Sequence, residues 1–154
     1  ILNAKRIYIA GVGRSGLVVK AFGQRLMHLG FEVHLADEIT APGISRNDLL
    51  VACSGTGTTM LTVYMAKKAR TVGANVVAVT SRPASPLAKN ATTIVLIKAP
   101  LEHGKTVNGI TTVQPARSLF EQALFIYLDA IILKVMKSLK ISASKVSKRH
   151  ANLE

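Results

Sequence analysis

The stretch Ile7-Tyr-Ile-Ala-Gly-Val-Gly-Arg-Ser-Gly16, read with Leu49-Leu-Val-Ala-Cys-Ser-Gly-Thr-Gly-Thr-Thr59, decides the fold. Each segment is a short apolar run that breaks into a glycine-rich loop and then into a helical pattern. Glycines let backbone N–H groups approach an anion closely, and a helix N-terminus adds about half a positive charge there. Two such loops in one small domain predict a single phosphorylated ligand held between them.

Five strand candidates appear along the chain: Ile7–Ala10, Val33–Ala36, Leu49–Cys53, Val76–Thr80 and Ile94–Ile97. They are short, β-branched and almost continuously apolar, as parallel strands covered on both faces are. Helical patterns at Leu17–Leu29 and Thr59–Val72 separate them, each closed by a glycine, Gly30 or Gly73. Strand alternating with helix predicts an α/β fold: a five-stranded parallel doubly wound sheet of flavodoxin-like order 2-1-3-4-5. In that order ligands bind beyond the carboxyl ends of the first and third strands, where both glycine loops fall. Lys98–Pro115 reads as a loop. A long helix over Ser118–Leu139, apolar nearly all round, is expected in the core and in a subunit contact. A last short basic helix spans Ala143–His150.

The bulk composition narrows the class. The 154 residues make one domain, and 49% are hydrophobic, yet no apolar run reaches the roughly 20 residues of a membrane span. The net charge is +12. Its basic residues are dispersed from Lys5 to Arg149 without interleaved aromatics, which argues against nucleic acid and for steering of a small phosphate. The lone Cys53 excludes an internal disulfide framework and fits a reducing cytoplasm. The four histidines have no metal-ligand spacing, so no metal is expected.

Rival readings attach to the same residues. Gly11-x-Gly13-x-x-Gly16, followed by Asp37-Glu38, matches a dinucleotide fingerprint in which an acid binds a ribose hydroxyl. Against it stand the hydroxyls of Ser54, Thr56, Thr58 and Thr59 across the same crevice, and the lack of a second domain. Ser118-Leu-Phe-Glu121 reads as a capping box with Glu121 structural, or as a helix start that presents Glu121 as a general base. Spacing alone does not separate the two. Asp129, inside the apolar helix, calls for a partner.

The two glycine loops, Gln114-Pro115, Ser118-Leu-Phe-Glu-Gln122 and the terminal Lys148-Arg-His-Ala-Asn-Leu-Glu154 together resemble the 6-phospho-3-hexuloisomerases of the sugar isomerase (SIS) domain superfamily. The resemblance runs over nearly the whole chain, as a single SIS domain at 1–154 without the helix that begins most members. Two departures stand out. Thr58 replaces a glutamate common in the family, which leaves a role for Thr58 unassigned, and Arg117 replaces a small residue, where it either adds a phosphate contact or is simply solvated.

The resemblance implies interconversion of 3-hexulose 6-phosphate and fructose 6-phosphate in a cytoplasmic homotetramer with shared active sites, without metal or cofactor. It places the chain in formaldehyde fixation or pentose supply. Glu121 is then the base. Gly13, Ser15, Ser54, Gly55, Thr56 and Thr59 hold the phosphate, and Arg14 helps hold the sugar. His150 shuttles a proton or opens the ring, within its own subunit or in a neighbour's site. The alternatives are a non-catalytic sugar-phosphate sensor, which needs neither Glu121 nor His150, and an aldose–ketose phosphosugar isomerase.

Overall fold

The computed structural model describes residues 1–147, 149 and 150. In chain order the elements are β1 (Ile7–Ala10), α1 (Gly13–Leu29), β2 (Val33–Leu35), β3 (Leu49–Cys53), α2 (Met60–Thr71), β4 (Asn75–Thr80), α3 (Pro86–Lys89), β5 (Thr93–Leu96), β6 (Thr106–Val107), β7 (Ile110–Thr111), α4 (Ser118–Leu139) and α5 (Ala143–Ser147). β1 to β5 pair in parallel in the order β2-β1-β3-β4-β5, the topology the sequence predicts. Ile7 stands opposite Val33 on one side and Leu49 on the other, and Cys53 opposite Val79.

Successive strand side chains point to opposite faces, and each face has its own core. Ile7, Ile9, Leu49, Val51 and Cys53 pack with Val19, Phe22 and Leu26 of α1 and with Phe120, Leu124 and Leu128 of α4. Tyr8, Ala10, Leu50 and Ala52 pack with Ala66 and Ala69 of α2 and Leu87 of α3. Apolar strand residues are therefore needed at odd and even positions alike, which explains the unbroken hydrophobic runs. α1 stops at Gly30, whose φ of 99° is the left-handed cap geometry.

α4 has the expected bounds and enters the core by one side, through Phe120, Leu124, Leu128, Ile132 and Val135. Three expectations change. Asp129 is exposed on the outer side of α4 and forms no ion pair among the described residues. The stretch expected as a loop carries the β6–β7 hairpin, closed by Asn108 and Gly109 at φ 50° and 77°. That Asn-Gly pair is a strong hairpin signal. The final helix ends at Ser147, short of the expected His150.

Candidate active site

The first glycine loop turns sharply from β1 into α1. A Cβ on Gly16 would lie 2.7 Å from the Gly11 carbonyl oxygen, so this strand–helix junction closes only around glycine. α1 begins at Gly13 with Val12 as its cap and no side-chain capping bond. Arg14 and Ser15 therefore stand in the first turn, where backbone N–H groups lack helical partners.

The second loop is held from several directions. The Ser54 N–H donates to the Val79 carbonyl at 3.0 Å. Its hydroxyl pairs with the Thr59 hydroxyl at 2.9 Å and accepts from the Gly57 N–H at 3.1 Å. The Thr58 hydroxyl donates to Thr56 Oγ1 at 2.9 Å. Thr80 donates through Oγ1 to the Gly55 carbonyl at 3.1 Å. A Cβ on Gly55 would meet Leu101 at 2.9 Å and Phe120 at 3.0 Å, so the first turn of α4 lies directly against this loop. The hydroxyls are thus pre-placed by the fold.

Between the loops opens a cleft of about 440 Å³. Gly13, Arg14 and Ser15 border it on one side and Ser54, Gly55, Thr56, Thr58 and Thr59 on another, with Ala116, Arg117, Ser118 and Glu121 on the third. Three helix starts, those of α1, α2 and α4, therefore meet at one space. Ala116 takes the left-handed backbone at φ 44°, strained for a residue with a Cβ, as the chain turns into α4.

Glu121 is 7% exposed and its carboxylate pairs with Nε of Arg14, whose own side chain is 68% exposed. The capping box is not formed. Arg117, not Ser118, occupies the N-cap position of α4 and makes no side-chain capping bond; the Ser118 hydroxyl donates to the Pro115 carbonyl at 2.9 Å, and the Glu121 side chain turns to Arg14. An arginine 107 positions away in sequence takes the carboxylate, a partner no local spacing reveals. Cys53 also borders the cleft but is wholly buried, and burial pushes its thiol up to about 12. Neither Asp37 nor Glu38 lines the cleft.

Eight of the nine expected site residues, Gly13, Arg14, Ser15, Ser54, Gly55, Thr56, Thr59 and Glu121, border this cleft. His150 does not. Its ring lies 5.1 Å from that of His28, near the far end of α1, roughly 20 Å along the helix from Arg14. Positions 148 and 151–154 of the tail motif lie outside the described residues. Among the described residues no group of acidic, histidine or cysteine side chains is arranged for a metal ion, and no helix is long and apolar enough to cross a membrane.

A family model for the SIS domain matches residues 1–127. The chain is 41% identical to the 3-hexulose-6-phosphate isomerase of Bacillus subtilis over 155 residues, covering 100% of this chain and 83% of that one. It is 42% identical to the 3-hexulose-6-phosphate isomerase of Mycobacterium gastri, covering 100% of this chain and 76% of that one. A crystal structure from Methanococcus jannaschii, from which the function of 3-hexulose-6-phosphate isomerase was inferred, superposes with a TM-score of 0.89. Its identity is 34%, with 100% of this chain and 81% of that one covered.

Proposed function

The chain belongs to the SIS domain family, and on that premise we propose that it interconverts 3-hexulose 6-phosphate and fructose 6-phosphate through a 2,3-enediolate. The observation that carries the proposal is a buried carboxylate, Glu121, on the same cleft as a loop of pre-placed hydroxyls. The two named relatives, each matched over this entire chain, support the choice of substrate.

Ser15, Ser54, Thr56 and Thr59, with the N–H groups at the starts of α1 and α2, hold the phosphate. This fixes the sugar chain with its C2–C3 bond at Glu121. The carboxylate takes the C3 proton of fructose 6-phosphate. The C3–H electrons form the C2–C3 double bond, and the former carbonyl electrons move onto O2. A proton passes from O3 to O2, the electrons return to make the C3 carbonyl, and Glu121 delivers its proton to C2. The base ends as it began, and the reaction needs no electron acceptor. Arg14, already against Glu121, offers its remaining N–H groups to the charge developing on the sugar oxygens.

The enzyme is proposed to work as a cytoplasmic homotetramer, with His150 entering the cleft of a neighbouring copy to move the proton between O2 and O3. A neutral imidazole suits that transfer. Phe125, Ile126 and Leu133 on the outer side of α4 supply an apolar surface for subunit contact.

Conversion of fructose 6-phosphate carrying ¹³C at C3 tests the reading. The labelled carbon is expected to change from a secondary-alcohol resonance to that of a ketone as the carbonyl moves from C2 to C3, whereas an aldose–ketose isomerase would leave it an alcohol. Binding without any change of the label would favour a sugar-phosphate sensor instead.

A further inference from the structure

Two cations at the helix starts around the cleft run against the usual rule. The start of a helix carries partial positive charge, so carboxylates are favoured there and cations disfavoured. α1 nevertheless has Arg14 in its first turn and no acid, and α4, whose first turn holds the acid Glu121, has Arg117 at its N-cap position without a side-chain capping bond. α2, the third helix at the cleft, has no acid in its first turn either. The lining thus holds two guanidinium groups and one carboxylate, with three positive helix ends around them. Arg14 is engaged by Glu121, whereas Arg117 forms no ion pair among the described residues.

The position of Arg117 gives this charge a direction. Phe120, three residues on, lies against Gly55 of the hydroxyl loop, and residues three apart share a helix side. Arg117 therefore stands at the edge of α4 that abuts Ser54–Thr59, and it lines the same cleft. A cation held at an uncapped helix start beside a hydroxyl cradle weakens the empty protein and strengthens the occupied one. We propose that Arg117 is a phosphate-binding residue of this site, recognising the dianionic phosphoryl group jointly with the Ser54–Thr59 loop and leaving Arg14 for Glu121 and the sugar. This rests on the sugar-phosphate reading of the cleft. The guanidinium fork suits two phosphoryl oxygens at once, which a lysine ammonium does not reproduce.

The test titrates inorganic phosphate into the wild-type chain, R117A and R117K at constant ionic strength, by calorimetry and by thermal shift. The phosphate Kd is expected to rise about tenfold in R117A, with partial recovery in R117K. In phosphate-free buffer the melting temperature of R117A should equal or exceed that of the wild type, because a charge repelled by the helix end has gone. With fructose 6-phosphate the loss should appear in KM rather than kcat. A phosphate Kd in R117A within twofold of wild type would overturn the proposal, as would a fall in kcat at unchanged KM. Phosphate affinity is read without turnover. A wild-type chain that binds phosphate but leaves fructose 6-phosphate unchanged would thus refute the isomerase reading and still decide the role of Arg117.

Discussion

Glu121 is the residue on which the chemistry turns, and its environment shows why local sequence leaves its role open. Its spacing from Ser118 satisfies a capping rule, yet the carboxylate is drawn into the cleft by Arg14, 107 positions away. Replacing it with glutamine keeps the shape and removes the base. Glu121→Gln is expected to lower kcat by roughly a hundred- to ten-thousand-fold, with phosphate still bound; NMR of the sugar phosphate, with parallel phosphate calorimetry, measures both. Cys53 is the opposite case, a residue that borders the cleft but is wholly buried. Burial pushes its thiol up to about 12, so it should resist an aromatic disulfide reagent at pH 8 and titrate fully only in denaturant.

At the scale of elements, the central strands were legible because their short runs are almost unbroken in apolar residues, as a sheet buried on both faces needs, and α4 because its apolar run is long. α3 and the β6–β7 hairpin were not. Each is too short for a hydrophobic period, and their signals are local: Ser85 capping α3 just before Pro86, and Asn108-Gly109 in the hairpin turn. The glycine loops were legible as loops, but the contacts that make glycine obligatory belong to the folded chain. A methyl group at Gly16 collides with the Gly11 carbonyl. Gly16→Ala is therefore expected to destabilise by roughly 1–3 kcal/mol, read by urea denaturation. Asp48, before β3, ties that strand to β1 through Arg6 at 2.8 Å. Burial raises its pKa, but donation from Arg6 and from the Ser45 N–H and hydroxyl outweighs this and leaves it below its ordinary 3.8. A depressed folded-state pKa gives stability that is present above the unfolded value and lost as pH falls through the folded one. Melting temperatures should thus fall below about pH 4 in the wild type, and Asp48→Asn should flatten that acid limb.

At the scale of the whole molecule, the switch point of the doubly wound sheet puts two glycine loops side by side, and α4 closes the third side with Glu121. The sequence pattern predicted where the cleft lies. It did not predict which face of α4 stays open, because a helix apolar all round offers no period from which to read its buried side. Ile126 and Leu133, 70% and 67% exposed and seven residues apart, mark that open face. On the proposed tetramer, an Ile126→Glu/Leu133→Glu double variant should run at lower mass in light scattering than the wild type.

On the proposed mechanism Glu121 moves a proton between C2 and C3 of a sugar phosphate, and proton NMR of fructose 6-phosphate in deuterium oxide with the purified protein follows that proton. Deuterium should enter fructose 6-phosphate at C3 while 3-hexulose 6-phosphate appears with deuterium at C2. Exchange at C1 with formation of an aldose would rule out proton transfer between C2 and C3, and so would an unchanged spectrum from a protein that binds the sugar phosphate.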